Sequence, residues 1–260
     1  MRVRLKAAYD GTNYHGWQMQ DNGDSIEQEI NLALTKLLGV PVEVIGASRT
    51  DAGVHALGNI CVFDVPPESP AAKMPADRYA YALNHRLPED IRIMASDEVS
   101  PLWHPRHEAC HKTYEYRIEL SGVGNPIGRQ YRHLLHGALD VPAMRQAAEY
   151  LTGTHDYRSF CSTGTQAKDF VRTITAFTIE EAADGVLLSV TGTGFLYNMV
   201  RIMAGTLIEV GWGKRKPADM PAVLAACDRG AAGHTAPACG LTLVRIVYDQ
   251  EEKSLQNQPG

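Results

Sequence analysis

No stretch of this 260-residue chain approaches the roughly 20 consecutive apolar residues that a membrane span needs. The opening Met1-Arg2-Val3-Arg4-Leu5-Lys6 carries charge from its second residue and does not read as a signal peptide. Disulfide grammar is missing as well. The cysteines (Cys61, Cys110, Cys161, Cys227, Cys239) number five, an odd count, and none forms a C-x-x-C pair, which argues against a cross-linked scaffold and for a reducing compartment. A cytoplasmic location is the expectation. There is no low-complexity segment. Nor is there a basic surplus: 25 Lys and Arg stand against 30 Asp and Glu, a net charge of −5, whereas nucleic-acid-binding domains usually carry excess positive charge.

What is present is ordinary in bulk and uneven in detail. A hydrophobic fraction of 44% and a charged fraction of 21% suit a globular protein, and the length allows one extended domain or two lobes. Cations gather between Trp103 and Arg117 (His104, Arg106, His107, His111, Lys112, Arg117) and at Lys214-Arg215-Lys216. Acidic charge sits elsewhere, at Glu27 and Glu29, at Glu180, Glu181 and Asp184, and at Asp249, Glu251 and Glu252. That asymmetry permits a basic cleft on an acidic body.

The chain uses the same grammar twice. Arg2 to Tyr9 alternates as a strand. Ser25, with Gln28 three residues on, spells a helix start, and Ile26, Ile30, Ala33, Leu34, Leu37 and Leu38 keep helical spacing until Gly39 and Pro41. Strands are expected near 42–47 and 58–65, a helix near 75–86 and a strand near 91–99. In the second half Tyr114, Tyr116, Ile118 and Leu120 alternate with charged residues as a half-buried strand. Asp140 and Pro142 open a helix that Gly153 ends. Strands near 172–182 and 185–193, helices near 195–210 and 217–228, and a last strand from Gly240 to Tyr248 follow. The pattern predicts an α+β protein of two similar lobes with mainly antiparallel sheets: residues 1–105, residues 106–250, and a frayed tail over 251–260.

Chemistry concentrates in Ala47-Ser48-Arg49-Thr50-Asp51-Ala52-Gly53-Val54-His55-Ala56. Apolar, β-branched runs flank it, so Asp51 is expected on a short loop between strands, where catalytic groups tend to sit. A turn-forming aspartate with an exposed carboxylate would read the same way locally.

Other motifs are weaker. His107-Glu108-Ala109-Cys110-His111 spells H-E-x-x-H, the zinc-hydrolase pattern, but that chemistry needs a helix. The segment runs into a strand, where residues four apart are separated by about 13 Å, too far for one zinc with bonds of about 2 Å. No metal site is expected. Gly192-Thr193-Gly194-Phe195-Leu196-Tyr197 lacks the third glycine of a dinucleotide loop and leads into helices, so a tight turn accounts for it better. Arg201 lies in an otherwise apolar helix predicted over Phe195 to Gly205. Tyr197 and Gly205 lie one turn either side of it, a less apolar stripe that could face a pocket. An arginine so placed calls for a carboxylate partner or a snorkelling role, and Asp51 is a candidate.

Tyr9-Asp10-Gly11-Thr12-Asn13-Tyr14-His15-Gly16-Trp17-Gln18-Met19-Gln20, Arg49-Thr50-Asp51-Ala52-Gly53-Val54-His55-Ala56, Lys112-Thr113-Tyr114-Glu115-Tyr116-Arg117, Arg172-Thr173-Ile174, Asn198-Met199-Val200-Arg201 and Gly240-Leu241 occur in that order. Together they resemble the tRNA pseudouridine synthases that modify positions 38, 39 and 40 of the anticodon stem-loop, over Val3 to about Tyr248. The resemblance implies the pseudouridine synthase fold and an isomerase converting uridine to pseudouridine without metal or organic cofactor. It also implies tRNA as substrate and a homodimer. By the same resemblance Asp51 is the nucleophile, Arg201 its ion-pair partner, and Tyr114 the aromatic that stacks on the target uracil. Arg49 holds the RNA backbone or fills the gap left by the extruded base, and His104 and Arg106 contact tRNA. Ser48 stands where the family usually has glycine, and His107 where an aromatic is common. Two competing readings are a zinc hydrolase built on His107 and His111, and an RNA-binding module with the fold but no chemistry.

Overall fold

The computed structural model describes residues 1–21 and 23–249, and within it the chain divides into two compact units. The first is Met1–Cys110 together with the chain from Leu243 onward, and the second is His111–Thr242.

In the first unit, strand β1 (Arg2–Tyr9) buries Val3, Leu5, Ala7 and Tyr9, the period-two face that its alternation predicts. It pairs antiparallel with β3 (His55–Asp64) on one side and β4 (Ile91–Val99) on the other. The short β2 (Ile45–Gly46) also pairs antiparallel with β3. Helix α1 (Ile26–Leu38) starts where the Ser25 hydroxyl accepts from the Gln28 amide at 3.3 Å. It ends where Gly39 takes a left-handed φ of 74°, the conformation that favours glycine after a helix. Its buried stripe is Ile26, Ile30, Ala33, Leu34 and Leu38. A 3₁₀ turn (Ala76–Arg78) leads into α2 (Tyr79–Asn84).

The second unit is built on β5 (Cys110–Leu120), which pairs antiparallel with β9 (Gly185–Gly192) and parallel with the short β6 (His133–Leu135). Strand β8 (Val171–Ala182) joins β9 to β7 (Gly153–Asp156), again antiparallel. Asp140 caps α3 (Val141–Tyr150) through the Ala143 amide at 2.9 Å. Of the residues in α4 (Met199–Gly211), all but Arg201 and Glu209 are buried. Helix α5 (Met220–Ala226) follows a 3₁₀ turn and stops at Cys227, whose φ is 48°.

Several expectations need correction. The unit boundary falls at 110/111, and the last strand, β10 (Leu241–Tyr248), lies beside β3; the sequence division at 105/106 assigned it to the second lobe. Tyr248 explains the return: its ring packs edge-on against Trp103 at 4.9 Å and its hydroxyl donates to the Pro105 carbonyl at 3.1 Å. Residues 42–44 are not strand, because the Val44 amide bonds the Asn31 side chain at 2.9 Å. The helix expected from 195 begins at Met199, because Asn198 takes a left-handed φ of 59°. Strands β6 and β7 were not expected; each is only a few residues long and too short for a period to show. The frayed tail expected over 251–260 lies outside the described residues.

Candidate active site

Asp51 sits at the start of a tight turn in the first unit, with the Val54 amide donating to its carbonyl at 3.1 Å. Gly53 makes the turn with φ at 76°, a region that L side chains disfavour. The segment from Tyr9 to Trp17 clamps this turn through backbone contacts. The Trp17 amide donates to the Thr50 carbonyl at 3.0 Å and the Gly53 amide to the Tyr14 carbonyl at 3.2 Å. Below the turn, Tyr9 and Thr50 share a buried hydroxyl pair at 2.8 Å, and Asn59 donates to the Ser48 carbonyl at 3.0 Å. His55 is buried, with Nδ1 3.1 Å from both the Gly11 amide and an Asp10 carboxylate oxygen. Thr50 is thus drawn into the core, while Arg49 is exposed and Asp51 half-buried. Arg49 reaches the Gln18 side chain at 3.5 Å.

Glycines permit this closeness. A Cβ at Gly16 would stand 2.6 Å from the Thr50 carbonyl oxygen, and one at Gly11 would overlap the Val54 carbonyl. Gly11→Ala is therefore expected to displace the turn backbone, since neither neighbour is a flexible side-chain end. The overpacking should cost about 2–3 kcal/mol, lowering the Tm by roughly 6–10 °C. A variant melting within a degree of the parent in a thermal scan would show that the clamp yields easily.

Arg106 ties a second turn to the base of the same loop. Its Nε donates to the Gly46 carbonyl at 2.7 Å, and a side chain at Gly46 would strike the fully buried Trp17 indole. Around it, His104 and His107 stack with ring centroids 3.9 Å apart, and the Arg106 amide donates to His104 Nδ1 at 3.2 Å. Desolvation, reinforced by the His107, Arg106 and Arg2 charges, lowers the His104 pKa, which favours its neutral form at neutral pH. Residues 105–107 form this turn and β5 begins at Cys110, so H-E-x-x-H does not lie on a helix. Among the described residues no cluster of three or more His, Cys, Asp or Glu could hold a metal ion.

In the second unit Tyr114 lies on β5 opposite Val190, with only 6% of its surface exposed. The Phe195 ring meets it edge-on at 5.1 Å and 82°. Arg201 stands in the first turn of α4, and two partners fix its guanidinium. Nε donates to the Ala236 carbonyl and Nη1 to Asn198 Oδ1, each at 2.8 Å. The Ala236 amide returns a bond to the Arg201 carbonyl at 3.1 Å. The polar stripe expected around Arg201 does not form. Tyr197 precedes the helix, and a Cβ at Gly205 would run into the His234 carbonyl. Gly205 therefore serves close packing of the 234–236 segment.

Arg49, Asp51, His104 and Arg106 thus belong to the first unit, and Tyr114 and Arg201 to the second. Sequence reading missed Asn198, Phe195 and the Ala236 carbonyl as partners. Only Asn198 had a signal, since asparagine just before a helix is a common boundary residue that tolerates left-handed backbone.

A family model described as tRNA pseudouridine synthase matches residues 6–108 and again 147–249. A tRNA pseudouridine synthase A of Brevibacillus brevis is 44% identical over 247 residues, covering 95% of this chain and 99% of its own length. That of Ruminiclostridium cellulolyticum is 45% identical over 248 residues, with 95% and 99% covered. The Bacillus pumilus protein of the same name is 42% identical over 251 residues, with 96% and 100% covered.

Proposed function

This chain belongs to the tRNA pseudouridine synthase family, and on that footing we propose how its residues carry the reaction. It is an RNA-modifying isomerase that converts uridine to pseudouridine in the anticodon stem-loop of tRNA, at positions 38–40 in our reading. The N1–C1′ bond breaks, the uracil turns, and C1′ rejoins at C5, which gives up its proton while N1 takes one. Substrate and product have the same atoms and oxidation level, so the reaction balances without an electron carrier.

Asp51 is the nucleophile. A carboxylate suits the task because it can attack an electrophilic carbon of the nucleotide, C1′ or C6, and later leave. It must be ionised to do so, and Arg201 as ion-pair partner favours that form. The turn that bears Asp51 supports this assignment, since close glycine contacts and two backbone hydrogen bonds from the 9–17 segment hold it. That turn is the observation on which the proposal chiefly rests. A uridine stacked in a stem is out of reach, so it is flipped out, and Tyr114 stacks on it, restoring roughly 1–3 kcal/mol of lost stacking. Arg49, exposed beside Asp51, holds the backbone or fills the vacated space. His104 and Arg106 contact tRNA from the neighbouring turn.

Tritium release from tRNA labelled at uridine C5 tests the whole reading. Release at the anticodon stem-loop is expected, whereas tRNA binding without release would leave an RNA-binding module. Tyr114→Phe is expected to keep the affinity within about threefold, because the ring still stacks, while turnover falls by about 100-fold or more as the hydroxyl's part in proton handling is lost. Near-parental single-turnover rates would confine Tyr114 to stacking.

We further propose a homodimer that binds tRNA across both subunits, which would combine the basic turns of two net-acidic chains. Sedimentation should find the dimer; a fully active monomer would refute it. None of the described helices is long and apolar enough to cross a membrane, and the cytoplasm, where tRNA is modified, is the proposed location.

A further inference from the structure

We infer that Asn198 is a positioning residue for the reaction, fixing the plane of the Arg201 guanidinium. The inference rests on the proposed pairing of Arg201 with Asp51. Asn198 occupies the N-cap of α4, where an asparagine side chain normally accepts from a backbone amide of the first turn. Here it makes no such bond. Its Oδ1 is turned instead to Arg201 Nη1 at 2.8 Å, and its Nδ2 donates to the Ser162 hydroxyl at 2.9 Å.

The orientation of this amide is determined by its partners. A guanidinium only donates, so the carbonyl oxygen must face Arg201, and the amide nitrogen is left for Ser162. Ser162 is itself anchored, its amide donating to the Tyr197 carbonyl at 3.1 Å. With Ala236 holding Nε, two bonds on different nitrogens fix the guanidinium plane.

Helix stability does not explain the arrangement. A cation in the first turn opposes the helix dipole, and the cap residue spends its oxygen on that cation rather than on the helix. The left-handed backbone of Asn198, φ 59° and ψ 10°, is the conformation that directs its side chain this way. Asparagine, aspartate and glycine tolerate it best.

Asn198→Asp separates positioning from scaffolding, because the two roles predict opposite results. Aspartate keeps the backbone conformation and an acceptor for Arg201, and adds a charge that suits both the helix N-terminus and the guanidinium. A scaffold residue would gain from that exchange. A positioning residue would lose, because the new carboxylate draws Arg201 away from Asp51. We expect Asn198→Asp to melt at or above the parental temperature and bind tRNA within about threefold, with a single-turnover rate about 100-fold lower. Asn198→Gly, which keeps the backbone and deletes both side-chain bonds, should lower that rate about tenfold or more, again without changing KM for tRNA. Arg201→Ala runs alongside. If it is inactive while Asn198→Asp and Asn198→Gly turn over within about threefold of the parent, the positioning role is overturned and the Arg201 assignment stands. Full activity of Arg201→Ala would overturn both.

Discussion

Asp51→Asn protein is expected to fold and bind tRNA as the parent does, yet to form no measurable pseudouridine. The exchange replaces one oxygen by an amide nitrogen and keeps the backbone bonds of Thr50, Asp51, Gly53 and Val54 that hold the turn. What disappears is the negative charge and with it the nucleophile. Loss of such a group typically lowers turnover by about 10⁵-fold or more. Mass spectrometry of digested tRNA after prolonged incubation reads this directly. RNA carrying 5-fluorouridine at the target gives an independent view, since fluorine cannot leave as the C5 proton does. The parent should accumulate a trapped or hydrated product, and Asp51→Asn should not. Pseudouridine formed by purified Asp51→Asn protein would remove Asp51 from the covalent step.

Arg201→Ala is expected to lower turnover by about 100-fold or more, the scale seen when a donor that stabilises reacting charge is deleted. Its structural cost should be moderate and separable. The Ala236 carbonyl and Asn198 Oδ1 each lose a donor, and a buried acceptor left unsatisfied costs about 1–3 kcal/mol. The helix loses an unfavourable first-turn charge in return. Arg201→Lys keeps the charge but lacks the planar fork, so it cannot hold both partners in the same geometry. It should recover only part of the rate. Equal rates for Arg201→Ala and the parent under single-turnover conditions would exclude any supporting role.

Much of the architecture was legible because it is written in local periods. Strand β1 shows its buried face in Val3, Leu5 and Ala7, and α1 carries both a start at Ser25 and a stop at Gly39. The Asp51 turn was legible from Gly53 between apolar runs. What failed depends on distant partners. Phe195, Leu196 and Tyr197 are apolar enough to read as helix, but Phe195 packs on Tyr114 and Asn198 turns left-handed to reach Ser162 and Arg201. Gly205 read as part of a polar stripe, whereas the His234 backbone presses on it. The clamp of Tyr9 to Trp17 on the Asp51 turn joins segments some 40 residues apart, and no local spacing encodes that contact. Nothing in β10 itself says that it lies beside β3.

The return of β10 gives the protein an order of assembly. A chain emerging from the ribosome presents its N-terminal part first, so β1, α1, β3 and the Asp51 turn are made early, followed by the whole second unit. The strand that covers the β3 edge, and the Tyr248 ring that braces Trp103 and Pro105, arrive only afterwards. Until then the part of β3 that the short β2 leaves uncovered offers an unpaired edge, the kind of surface that recruits other strands. The turn through which Arg106 reaches Gly46 also lacks its Tyr248 support in that interval. The nascent protein therefore holds the Asp51 turn, the proposed seat of its chemistry, on a half-finished scaffold until β10 is in place.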